Sequence, residues 1–185
     1  MHPLNFPWLD MIKILILLLL MLPRLAGAAE WGQFDFEFEN EKPWSELQAK
    51  LPAYPKQENL LPFFVGAATD NQFYIDAPSI SVGEDGVVRY VLIVKSPEGA
   101  TNVSFEGIRC ATHEKKVYAF GRAGDGWSKA RFAKWEQIRY ADRNRQHHML
   151  YDDFFCPVGL IVNSPEDAIN ALKRGAHPAA TIRNP

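Results

Sequence analysis

Cysteine is scarce in this chain: Cys110 and Cys156 are the only two among 185 residues. Two thiols exclude a four-cysteine zinc site and a disulfide-dense small scaffold. No C-x-x-C spacing is present, so a local redox pair has no support. An excess of positive charge is missing too. The formal net charge is −2, which excludes a uniformly basic protein that coats nucleic acid. There is no H-E-x-x-H and no G-x-S-x-G, and no G-K-[ST] follows the glycine-rich stretch Gly121-x-x-Gly124-x-Gly126. The short signatures of zinc proteases, serine hydrolases and phosphate-binding loops are therefore absent, and that glycine stretch reads as a turn. No cofactor motif and no internal repeat is found. What is present, 47% hydrophobic and 23% charged residues, is the make-up of a folded domain, and the length fits one.

A single long apolar run stands near the N-terminus, from Ile14 to Leu22. With its flanks it is about a dozen residues, short of the ~20 needed to span a bilayer core. It fits the ~7–15-residue apolar centre of a secretory signal. Lys13 precedes it, and Ala26-x-Ala28 follows with small residues where a signal peptidase cuts. Residues 1–28 are expected to be a signal peptide cleaved after Ala28. The first ten residues carry Asp10 and no Lys or Arg, so Met11 competes with Met1 as the start. Leu25-Ala26-Gly27 resembles the opening of a lipobox, but Ala28 stands where the lipidated thiol would be. The expectation is a periplasmic or secreted protein with no stable membrane anchor after cleavage. A buried core helix is the other reading of the run, and the lack of any polar face speaks against it.

Charge is unevenly spread. Residues 30–85 hold 11 acids and 3 bases, net −8, whereas residues 86–185 hold 10 acids and 15 bases, net +5. That asymmetry reads either as two oppositely charged surfaces or as two segments that interleave and pair.

Residues 29–62 read as an N-terminal arm and linker ahead of the main body of a single domain, 29–185. Within the arm, Trp31, Phe34, Phe36 and Phe38 alternate with acids as in a strand. Trp44–Leu51 reads as a short helix stopped by Pro52, and residues 52–62, with three prolines, as a stiff connection. Strand candidates follow at 63–65, 72–75 and 79–82. Val87–Lys95, apolar on one face and mostly apolar on the other, is expected to be a central strand. Val103–Ala111 and Lys115–Arg122 read as an antiparallel pair. Lys129–Tyr140 fits helix and strand almost equally. Residues 142–154 are helical by the spacing of His147, Leu150, Tyr151 and Phe154. Ser164-Pro165-Glu166-Asp167 opens a last helix that Gly175 ends. Strands first and helices last predict an α+β fold, an antiparallel sheet with C-terminal helices packed on it.

The run Gly99-Ala100-Thr101-Asn102-Val103-Ser104-Phe105-Glu106-Gly107-Ile108-Arg109-Cys110 resembles the signature of the CNP-one-like family of exported β-proteobacterial proteins. Tyr118-Ala119-Phe120-Gly121, Trp127, Trp135 and Phe155-Cys156-Pro157 fit the same likeness, which covers roughly residues 31–178. The resemblance implies an envelope location and carries over no catalytic residue, only the cysteine pair.

Three groups of residues bear chemistry. Cys110 and Cys156, in an exported chain, have one possible bridge, which would tie a helix to the sheet. A buried free thiol and a redox-active cysteine are the alternatives. His147-His148 followed by Asp152-Asp153 is a weak metal candidate through His147, His148 and Asp152, since His148 and Asp152 share a helix face; His113 and Glu114 are possible additions. Adjacent histidines, however, point about 100° apart on a helix. The third group is basic and aromatic: Lys129, Arg131, Lys134, Arg139, Arg143 and Arg145 interleave with Trp127, Phe132, Trp135 and Tyr140, net +4 over residues 127–148. Nucleic acid is disfavoured by export. The reading is a non-catalytic binding or accessory protein of the envelope whose basic stretch meets an anionic component or a protein partner while its aromatics anchor the segment to the core. The alternative is a small periplasmic hydrolase or metal-dependent enzyme using His113, His147 or His148 with nearby carboxylates.

N-terminal sequencing of protein exported by cells is expected to start at Ala29. Protein retained in the membrane fraction with Met1 or Met11 intact would show the apolar run to be an anchor.

Overall fold

The computed structural model describes residues 43–122, 124, 126–139 and 145–180. Residues 1–28, expected to be a signal peptide, the alternating stretch at 30–42, Tyr140 and Arg143 lie outside the described residues.

Nine residues, Val87–Lys95, six of them Val, Ile or Tyr, form the strand around which the rest is arranged. The sheet is antiparallel throughout and runs β1 (Leu60–Phe63), β2 (Gln72–Asp76), β4 (Val87–Lys95), β5 (Thr101–Arg109), β6 (Glu114–Arg122), β7 (Gly126–Lys129). Two short strands complete it: β3 (Ser81–Val82) pairs with β4, and β8 (Glu136–Gln137) pairs with β6. Because successive side chains point to opposite faces, β4 supplies both layers of core. Val88, Tyr90 and Leu92 join Phe63, Phe73, Ile75 and Ile108 on one face. Val91 and Ile93 join Phe105 and Ala119 on the other.

The first face is covered by the C-terminal helices. α1 (Arg145–Met149) runs directly into a wider π-helical stretch, Leu150–Phe155. Leu150, Phe154 and Phe155 are fully enclosed there. α2 (Pro165–Arg174) has the expected ends. The Ser164 hydroxyl accepts from the Asp167 N–H at 3.2 Å, and Gly175 takes φ +85°, a conformation open to glycine at no steric cost. Ala168, Ala171 and Leu172 are its buried side. The α+β architecture read from the order of elements is the one present.

Cys110, in the turn just after β5, is bonded to Cys156, just after the π-helical stretch, across 46 residues. Neither thiol is free. The staple joins the first face to its helical cover.

Three local readings need correction. Trp44–Leu51 is not a helix but an extended strap across the second face. Its backbone is used sideways: the Leu47 N–H donates to Asp85 Oδ2 at 2.9 Å, and the Leu47 carbonyl accepts from Arg89 at 3.0 Å. A helix this short is marginal without tertiary help, and here the tertiary contacts favour the extended form. Residues 57–62 are not linker. Gln57–Asn59 is a 3₁₀ turn, and Leu60–Pro62 belongs to β1, an edge strand that tolerates a proline. Finally, Lys129–Ile138 is neither one helix nor one strand. β7 ends at Lys129, β8 occupies two residues, and 130–135 loops out between them.

Beside β5, the register to β6 shifts between Phe105 and Glu106. The bulge sends Tyr118 across Gly107, where a Cβ would lie 2.7 Å from the Tyr118 hydroxyl. Only glycine permits that approach.

Oxidised protein is expected to carry no titratable thiol and to weigh about 2 Da less than its reduced form. Cys110→Ser or Cys156→Ser is expected to lower stability by about 2–5 kcal/mol in denaturant titrations. A variant that matches the parent in reductant-free buffer would show the staple to be idle.

Candidate functional site

Five basic side chains converge on one groove. β6 contributes Lys115 and Arg122, the end of β7 Lys129, and the 130–135 loop Arg131 and Lys134. Val117, Phe120, Ala130 and Phe132 supply its apolar surface, and the groove encloses about 530 Å³. Among the described residues Glu136 is its one carboxylate. It lies 3.6 Å from Lys115 and 3.8 Å from Lys134. Arg122 donates to the Ser128 hydroxyl at 3.2 Å. For Arg122, Lys129 and Arg131 no carboxylate stands within ion-pair distance among the described residues. Phe120 is 47% exposed and Phe132 86%. An adjoining hollow of about 380 Å³ shares Phe120 and Arg122 and reaches Ser104.

Sequence reasoning located Lys129, Arg131 and Lys134 because they are neighbours in the chain. Arg139 and Arg145 are exposed but do not line the groove. Lys115 and Arg122 were missed. Each lies two residues from an apolar groove residue, Val117 and Phe120, but the bulge breaks the alternation between the two pairs. Not all the aromatics anchor the segment: Trp127 packs on Phe105 and Tyr54, and Trp135 on Trp44, whereas Phe132 faces solvent.

The charge asymmetry resolves partly into pairing. Lys116 meets Glu46 of the strap at 2.7 Å, and Trp135 Nε1 donates to the same carboxylate at 3.3 Å. Burial alone would raise the Glu46 pKa; the Lys116 ammonium, together with the Tyr118 and Trp135 side chains, outweighs it and holds the carboxyl below its usual range. Arg89, buried on the second face, is clamped to Asp85 at 2.6 Å.

A second polar cluster is sealed inside. Glu106 and His147 are both buried. The Glu106 carboxylate accepts from Ser104 at 2.6 Å and Tyr90 at 3.2 Å, and lies 2.7 Å from His147 Nε2. A carboxylate only accepts, so Nε2 carries the proton in that contact. Burial would raise the Glu106 pKa, but His147 and Ser104 together bring it below the ordinary value. The same burial, with the Glu106 charge beside it, pushes the Tyr90 phenol well up. Ser104 donates to the carboxylate and not to the imidazole, so serine and histidine do not form a nucleophile–base pair. The cluster ties α1 to the centre of the sheet.

His148 and His113 make local contacts of their own. His148 Nε2 lies 3.0 Å from Asp152 Oδ2, as the helical spacing required. His113 stacks on Tyr151 at 4.0 Å, and its pKa is lowered by burial and by His148. His147 points to Glu106 instead. Among the described residues no three His, Cys, Asp or Glu side chains are placed to share a metal ion.

Glu106→Gln leaves the shape intact but removes the charge. It is expected to cost about 3–5 kcal/mol at neutral pH, as for a buried pair deprived of one partner. Because the folded-state pKa is depressed, the carboxylate's contribution is complete above its ordinary pKa and fades as pH falls through the lower folded value. The gap between parent and variant, read by urea titration, should therefore be widest near pH 7 and narrow below about pH 4.

No curated protein and no solved structure matches the chain. One family does match, over residues 39–173, a span that holds β1 to β8, the groove, the Glu106 cluster and nearly all of α2. The chain belongs to the CNP1-like family.

Proposed function

We propose that the protein is exported and works in the cell envelope as a non-catalytic binding protein, with the groove between β6, β7 and the 130–135 loop as its site for an anionic component. The observation that carries this is the groove's composition: among the described residues, five cations against one carboxylate, beside two exposed phenylalanines. In a chain of net charge −2, such a concentration is local and not a by-product of overall basicity. Cations without a carboxylate partner leave their attraction available to a ligand. A groove of this volume lies in the range that holds small ligands or a length of polymer. Support for export comes from the apolar run before Ala26-x-Ala28 and from the Cys110–Cys156 staple, since such bonds persist in oxidising compartments.

Protein recovered from expressing cells is expected to bind long-chain polyphosphate and not neutral dextran. Binding should weaken as the Debye length falls from ~10 Å at 0.1 M salt to ~3 Å at 1 M. The triple reversal Lys129→Glu, Arg131→Glu, Lys134→Glu should abolish it while shifting stability by under ~0.5 kcal/mol per site. Equal binding by parent and triple variant, or none by the parent, would overturn the proposal.

A further inference from the structure

Among the described residues the three most exposed large apolar side chains are Phe132 at 86%, Phe64 at 72% and Leu160 at 70%. Their surroundings differ. The hollow at Phe64 is lined by no charged residue, and Leu160 lies in the uncharged run 157–163. Phe132 stands among cations, with Arg131, Lys134 and Lys129 all exposed around it.

Phe132 is also held in place. At one end of its loop the Ala130 N–H donates to the Tyr118 carbonyl at 2.9 Å. At the other, Trp135 is fixed by Glu46 and by an edge-on contact with Trp44 at 5.9 Å. Within the loop the Lys134 N–H closes back on the Phe132 carbonyl at 3.0 Å, a tight turn centred on Ala133 that fixes the backbone at Phe132. A phenylalanine presented to water from a loop fastened at both ends contributes nothing to the core.

Resting on the reading of the groove as an anion site, we propose that the anionic component is a lipid bilayer surface. The 130–135 loop docks there, Phe132 enters the interface, and Lys129, Arg131 and Lys134 meet lipid phosphates. A dissolved polyanion would satisfy the cations but give Phe132 no reason to leave water. An anionic interface offers both an acyl boundary and negative charge, and attraction to it falls off within a Debye length. One aromatic side chain with a few cations gives reversible, peripheral attachment rather than insertion of a span.

The test uses protein recovered from expressing cells and vesicles of phosphatidylcholine alone or with about one third phosphatidylglycerol. Binding is expected only to the anionic vesicles. Phe132→Ser should reduce it about tenfold, the scale of one aromatic withdrawn from an apolar phase. Phe132→Trp should show quenching by brominated acyl chains beyond that of the native tryptophans. Circular dichroism should be unchanged in both variants, since the side chain is outside the core. Anionic-vesicle binding that is indifferent to Phe132→Ser, with no added quenching, overturns insertion while leaving the anion site standing. Absence of vesicle binding alongside retained polyphosphate binding overturns the bilayer as partner and points to a soluble polyanion or an acidic protein. Loss of both overturns the groove reading itself.

Discussion

A buried carboxylate constrains this fold more than any other group. Glu106 sits in the middle of β5, opposite Tyr90 in register and underneath α1. Left alone there its charge would be costly. Three groups prevent that, and they come from three places: Ser104 on its own strand, Tyr90 on the neighbouring strand, and His147 on the helix. Each supplies a donor only if its element lies in the observed position. Apolar packing between sheet and helix is tolerant of small slides. A carboxylate that needs particular donors is not, so the cluster sets where α1 crosses the sheet. Glu106 is therefore best understood as a positioning group.

The opposite face is organised differently. No helix covers it. Instead the strap 43–56 lies along it, fastened by Asp85 and Arg89 at Leu47, by Lys116 at Glu46 and by the Trp127 indole, which donates to the Pro52 carbonyl at 3.0 Å. The Arg109 guanidinium stacks on Trp44 with 3.7 Å to the ring centre. These contacts are mostly between residues about 40 to 90 apart in sequence. They make the strap part of the domain, and its Glu46 also fixes Trp135 at the foot of the groove loop.

What could be read in advance follows from this division. β4 was legible because nine consecutive residues carry the period of a strand with apolar residues on both sides. α2 was legible because its cap, its first-turn acids and its terminal glycine are local chemistry. The α+β order followed from those two and the run of strands between them. The strap was not legible, since its extended form depends on Asp85 and Arg89, which no window around Trp44 contains. The bulge at Phe105–Glu106 was invisible for the same reason, although Gly107 was its trace. At the groove, Lys129, Arg131 and Lys134 could be found as a local basic run. Lys115 and Arg122 could be found only once β6 was placed beside β7 and β8. The cluster around Glu106 was out of reach because its members, spread from Tyr90 to His147, are joined only by the fold.

The Cys110–Cys156 staple has a mechanical side. The chain between the two cysteines contains β6, β7, β8 and α1, and therefore the whole 130–135 loop. A surface or ligand that pulls on Phe132 applies its load inside a covalently closed ring. Tension directed toward the helix is met first by α1 and the π-helical stretch and then stops at the sulfur–sulfur bond, so it does not run on into α2. Tension directed toward β6 is spread over its hydrogen-bonded ladder with β5. The groove is thus mounted inside the ring, and a load there can draw out at most the chain between the cysteines, leaving β1 to β5 and α2 outside its reach.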